Sequence, residues 1–131
     1  FEGLVEPLRA FCRSGRPVLG TCAGAILLAH RVSAPEQDSL DVLDIDVQRN
    51  GYGRQLDSRI VPLAGEGAWA DMEAVFIRAP IIRRTGPEVQ VLLRRDDDPV
   101  LVRQGSVWAA TFHPEMTSDT RVLQRVLEGA A

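Results

Sequence analysis

Two short stretches of this 131-residue chain carry side chains able to do covalent chemistry: Gly20-Thr21-Cys22-Ala23-Gly24 and Thr111-Phe112-His113-Pro114-Glu115. The first follows a short apolar run, Arg16-Pro17-Val18-Leu19-Gly20, and precedes the small apolar stretch Ala25 to His30. Strand, Gly-x-Cys-x-Gly turn, small-residue helix is the sequence form of a nucleophile elbow. An elbow holds its nucleophile on a sharp turn, so its neighbours must be small, and Gly20 and Gly24 are expected to give that clearance. At the start of a helix the thiol would feel the positive end of the dipole, which favours thiolate. The Ala23 N–H would point at the reacting carbonyl and serve as one oxyanion donor. The same five residues also fit a small buried cysteine in a tight turn.

The second stretch could supply the proton relay that such a thiol needs. Pro114 disfavours helical geometry at His113 and holds the segment extended. In an extended chain residues two apart face the same way, so His113 and Glu115 are expected to point into one site. Imidazole would take the thiol proton and return it to a leaving amine, while the carboxylate orients the ring and stabilises imidazolium. Alone, the segment also fits a surface loop holding a histidine and an acid. Elbow and His-x-Glu together, both at strand ends, favour the chemistry. His30, the other histidine, reads as a helix C-terminal residue.

The elements that must position these groups alternate between two periodicities. Glu2 to Ser14 repeats Leu4, Val5, Leu8, Phe11 and Cys12 at helical spacing, with Gly15 placed to end it. Leu43 to Gln48 alternates apolar and polar residues, the period of a half-buried strand. Ser33 to Ser39 reads as a loop, Arg49 to Arg54 as turn chemistry, Leu56 to Leu63 as a weaker strand and Ala64 to Ala70 as a loop. Val75 to Pro80 reads as a strand ending at the proline, and Val89 to Leu93 as another. Asp96 to Pro99 is a polar turn, and Val100 to Arg103 and Val107 to Phe112 flank Gln104-Gly105-Ser106 as a hairpin. Asp119 to Leu127 closes the chain as a helix with Val122, Leu123, Val126 and Leu127 on one side. Short strands mixed with helices predict an α/β layered domain, one over residues 1–131.

Composition excludes several functions. The net charge of −3 gives no bulk basic field for nucleic acid. No apolar run approaches the roughly 20 residues of a membrane span, and no secretory start is visible. All 15 basic residues are arginine, so no Schiff-base or P-loop lysine is available. Without a secretory signal, Cys12 and Cys22 are expected as free thiols in a reducing cytoplasm. The histidines and cysteines lack metal-ligand spacing, and Asp96-Asp97-Asp98 lacks the glycine and terminal glutamate of a calcium loop, so no metal or other cofactor is expected.

Four segments in order, Gly20 to Gly24, Gln48-Arg49-Asn50-Gly51-Tyr52-Gly53-Arg54-Gln55, Phe76-Ile77-Arg78-Ala79-Pro80 and Phe112-His113-Pro114-Glu115, resemble the class I (triad) glutamine amidotransferases. More closely, they are similar to the glutaminase subunits of pyridoxal 5′-phosphate synthase, and the resemblance runs over essentially the whole chain. It implies a layered α/β sheet with flanking helices. It implies that Cys22 attacks the side-chain amide of L-glutamine, with His113 and Glu115 completing the triad, through a glutamyl thioester. Glutamine contacts would fall on Arg49, Ile77 and Arg78, a guanidinium matching a carboxylate. The released ammonia would pass to a synthase subunit that builds pyridoxal phosphate (vitamin B6). Members of this family begin with a strand–helix–strand unit and a Gly-Gly-Glu-Ser-like loop that supplies the second oxyanion donor. The chain is therefore expected to lack about 50–60 residues of the family domain, roughly a βαβ unit and its exit loop. That expectation motivates a second reading, a non-catalytic docking or regulatory subunit of the same complex. A third is another cysteine hydrolase on a related α/β fold.

Overall fold

The computed structural model describes residues 2–49 and 59–129. The first turn, Glu2–Leu4, is 3-10 and runs into α1 (Val5–Cys12). Cys12 is the buried residue of this helix, Val5 and Leu8 pack partly against the core, and Gly15 at φ +88° turns the chain away. Then come β1 (Val18–Thr21), α2 (Ala23–Leu28), β2 (Ala29–Ser33) and β3 (Leu43–Gln48). After the undescribed segment follow β4 (Arg59–Pro62), a 3-10 turn (Gly67–Trp69), β5 (Glu73–Phe76) and β6 (Ile81–Thr85). The chain finishes with β7 (Gln90–Arg95), β8 (Asp98–Gln104), β9 (Val107–Ala110), a 3-10 turn (Pro114–Met116) and α3 (Arg121–Glu128).

Among the described residues the strands form a four-stranded sheet in the order β1-β9-β8-β7, a three-stranded sheet β2-β3-β6, and the pair β4-β5. β1 lies parallel to β9, with Val18 opposite Val107 and Thr21 opposite Ala110. β8 runs antiparallel to β9 and β7 to β8. The centre of the four-stranded sheet is buried on both faces, because β9 and the middle of β8 are apolar at successive positions, not alternate ones. All four residues of β9 are buried. Val107, Ala109 and Val102 face a core shared with α1, α2 and the β2-β3-β6 sheet. Trp108, Ala110, Phe112 and Leu101 face the other core, shared with β4-β5, the Gly67–Trp69 turn and α3. This is the α/β layering the sequence predicts.

Three elements depart from expectation. His30 does not end a helix: the chain leaves α2 at Leu28 and enters β2, where His30 is exposed and its Nδ1 lies 2.8 Å from Asp41. Helix-like composition was overridden there by pairing of β2 along β3. The strand read over Val75 to Pro80 stops at Phe76, and Ile81–Thr85 forms β6. On α3, Val122 and Val126 are buried while Leu123 and Leu127 are 46% and 75% exposed, so only part of the expected apolar face is used.

Arg121 ties α3 to the turn beneath the second core. Its guanidinium donates to the carbonyls of Ala70 at 2.7 Å and Ala68 at 3.2 Å, and to the Asp119 carboxylate at 2.6 Å. Arg121→Ala is expected to lose about 1–3 kcal/mol in urea unfolding, because these carbonyls and Asp119 lose a charged donor. The Arg121 hydrogen bonds hold the Asp119 carboxyl below its ordinary value of 3.8. The pair therefore stabilises the fold fully above that ordinary value, and the contribution fades as pH falls through the lower folded value.

Candidate active site

Cys22 is the hinge between β1 and α2. Its amide still belongs to the sheet, donating to the Ala110 carbonyl at 2.9 Å. Its own carbonyl already belongs to the helix, accepting from Ala25 at 3.0 Å and Ile26 at 3.3 Å. To serve both, the residue takes φ 49°, ψ −107°, a left-handed conformation outside any helix or strand region. A non-glycine residue held there stores on the order of 1–3 kcal/mol, the kind of strain found at nucleophile turns.

The clearance for that turn comes from Gly20 alone. A Cβ on Gly20 would meet the backbone carbon and oxygen of Gly24 at 2.6 Å and the Leu28 Cδ1 at 2.7 Å. A Cβ on Gly24 would meet nothing within 4 Å. The two glycines of the motif are thus unequal: Gly24 is the backbone that is approached, and Gly20 is the residue that must lack a side chain.

His113 reaches Cys22 from β9's continuation. The parallel register of β1 with β9 brings the two strand ends together across 91 positions of sequence, with Cys22 Sγ 2.9 Å from His113 Nε2. The ring's other nitrogen, Nδ1, lies 2.9 Å from Glu115 Oε2. With Nδ1–H donated to that carboxylate, Nε2 is the acceptor that faces the thiol. His113 itself is extended at φ −108°, ψ 92°, but Pro114–Met116 is a 3-10 turn and not the continued strand the sequence suggests. The convergence of His113 and Glu115 therefore comes from a tight turn begun by Pro114. The His113 amide donates to the Val75 carbonyl at 3.0 Å, which anchors the segment against β5.

The thiol has a second acceptor, the Thr111 carbonyl at 3.3 Å. Backbone carbonyls such as those of Thr111 and Val75 carry no sequence signal, since every residue has one. Electrostatics here run against the thiolate expected from the helix start. Burial pushes the Cys22 thiol up to about 11, and the nearby Glu115 carboxylate adds to the rise. Desolvation is the larger of the two causes, and α2 has only six residues. The Glu115 carboxyl is held below its ordinary range by its own backbone N–H and by His113. The arrangement is therefore a thiol with a raised pKa beside the His113 ring, with the Glu115 carboxylate on the ring's far side.

Ala23 opens α2, and the amide of a first helical residue has no acceptor within its own helix. Ile77 is half-buried and Arg78 is exposed, in a turn directly after β5 and two to three residues beyond the Val75 carbonyl that holds His113. Arg78 has φ +47°, a left-handed conformation in a non-glycine residue. Arg49 is exposed at the end of β3, its amide donating to the Ser33 carbonyl at 3.0 Å. No hydrogen bond among the described residues ties Arg49 to the triad, and Asn50 to Gln55 lie outside the described residues. A cleft of about 970 Å³ is lined by residues that include Gly65, Glu66, Trp69 and Arg94 but none of Cys22, His113 and Glu115. The reactive groups thus sit outside that cleft. Among the described residues no cluster of three metal-ligating side chains occurs, no helix is long and apolar enough to cross a membrane, and both cysteines are free.

The chain is 53% identical over 123 residues to the pyridoxal 5′-phosphate synthase subunit PdxT of Koribacter versatilis, covering 94% of this chain and 64% of that protein. It is 47% identical over 122 residues to the PdxT of Halalkalibacterium halodurans, covering 93% and 62% respectively. With the PdxT of Deinococcus radiodurans it shares 51% identity over 134 residues, covering 98% and 68%. The chain thus spans a little under two thirds of the length of the first two relatives. A crystal structure of a glutamine amidotransferase superposes with a TM-score of 0.87 at 46% identity, covering 97% of this chain and 68% of that one. A family model matches residues 2–130, and with that match the chain belongs to the SNO glutamine amidotransferase family.

Proposed function

We propose that this chain is the triad-bearing portion of a glutaminase that releases ammonia from L-glutamine for a pyridoxal 5′-phosphate synthase. The observation that carries the reading is the continuous relay of two 2.9 Å contacts, Cys22 Sγ to His113 Nε2 and His113 Nδ1 to Glu115 Oε2. Its membership of a glutamine amidotransferase family supports the choice of substrate. In this reading His113 Nε2 takes the thiol proton as sulfur attacks the glutamine side-chain carbonyl. The Ala23 N–H faces the oxyanion, and the imidazolium returns the proton to the leaving nitrogen, freeing ammonia and leaving a glutamyl thioester. Water, activated by the same imidazole, then releases glutamate. Arg49 and the Ile77–Arg78 turn hold the amino-acid end of the substrate. The ammonia goes to a separate synthase subunit, in the cytoplasm.

Because the resting thiol is protonated, His113 should govern its reactivity near neutrality. Iodoacetamide alkylation of Cys22 is expected to be measurable near neutral pH in the natural chain. In His113→Ala it should climb about tenfold per pH unit toward the thiol's own value. The sign follows from the raised thiol: without a base, thiolate appears only as pH approaches about 11. Equal profiles for the two proteins would remove His113 from the relay.

A further inference from the structure

The acid–base arm and the Ile77–Arg78 turn are held by the same short piece of β5. Val75 accepts the His113 amide at 3.0 Å. The next residue, Phe76, is buried, and its ring meets Phe112, the neighbour of His113, edge-on at 5.9 Å between centroids. The Arg95 guanidinium of β7 lies 4.7 Å from the centre of the Phe76 ring. The chain then leaves the strand and, two residues beyond Phe76, reaches Arg78 in its left-handed conformation. A backbone bond fixes His113 along the strand, but it leaves the segment free to rotate about that bond. Two edge-packed rings one residue away remove that freedom, because an aromatic pair has a preferred angle as well as a preferred distance.

We propose that Phe76 is a positioning residue that sets His113 against Cys22 and, through the same ring, orders the Ile77–Arg78 turn. The inference rests on the glutaminase reading only for the ligand of that turn. Its consequence is that the base and the substrate-holding turn move together. Glutamine seated at Arg78 would steady β5's end, and with it the ring pair that aligns the imidazole. A site held to within a fraction of an ångström by such packing loses its chemistry well before it loses its fold.

The test compares Phe76→Leu with Val126→Ala, a truncation in the same core on α3. Three quantities are read on each: the thermal midpoint, the pH profile of iodoacetamide alkylation at Cys22 located by mass spectrometry, and protection of Cys22 by L-glutamine. Both variants are expected to melt earlier. Only Phe76→Leu is expected to lose alkylation near neutral pH, by about tenfold, and to need about tenfold more glutamine for protection. A Phe76→Leu profile matching that of Val126→Ala overturns the proposal, since the ring is then packing alone. Loss of the profile with unchanged protection overturns the link to the turn. If glutamine protects neither the natural chain nor the variant, the glutaminase reading fails, and the alkylation profile still decides whether Phe76 positions His113.

Discussion

Replacing Cys22 by alanine is expected to abolish glutamine hydrolysis, by about 10⁴-fold or more, while the chain keeps its thermal midpoint and its hold on a synthase partner. The magnitude follows from the roles of the three residues. His113 and Glu115 serve the thiol and have no substrate for their proton without it, so loss of Cys22 removes what the whole relay supplies. The fold should not notice, because Cys22 contributes to the sheet and helix through its backbone amide and carbonyl, which alanine retains. Ammonia release from L-glutamine, measured with and without the synthase subunit, is the assay. Persistent hydrolysis by Cys22→Ala would sink the proposed nucleophile. A folded natural chain that releases no ammonia and resists a glutamine-mimicking electrophile at Cys22 would favour the docking-subunit reading. Stoichiometric labelling would exclude that reading.

Gly20→Ala is expected to break the packing of the elbow. The added carbon would lie 2.6 Å from backbone atoms of Gly24, and backbone cannot rotate away as a side chain can. The strand and α2 must separate. The expected loss is at the upper end of roughly 1–3 kcal/mol, with a matching collapse of Cys22 alkylation near neutral pH as the turn opens. Gly24→Ala is the control. Its Cβ meets nothing within 4 Å and sits in a helix, so stability is expected to hold or rise by up to about 1 kcal/mol. Chemical denaturation of the two variants side by side checks the asymmetry. Equal effects would mean that the elbow is not packed through Gly20.

The positions of the chemistry were legible because they were written in side-chain type and period. Gly-x-Cys-x-Gly after an apolar run announced the turn, and Leu43 to Gln48 alternated strictly and formed β3 over those six residues. What stayed hidden depended on partners distant in sequence. His30 continued a helix-like composition, yet β2 is made a strand by β3, from Leu43 onward. The tight turn at Pro114 and the carbonyls of Thr111 and Val75 are backbone features without a residue signature. The direction of the Cys22 shift was misjudged because a helix start is visible in sequence and burial is not. The unequal glycines had the same cause, since the motif shows two small residues and only packing shows which one is pressed.

The parallel pairing of β1 with β9 has a consequence for how the chain is made. Cys22 leaves the ribosome 91 residues before His113. At typical synthesis rates of 5–20 residues per second, that is a gap of roughly 5–20 s. Throughout it the nascent chain carries the sulfur without its base. Contacts of such long sequence separation are also slow to form after release. A growing or half-folded chain thus carries an ordinary exposed thiol, and its coupling to His113 arrives only with closure of the last strand.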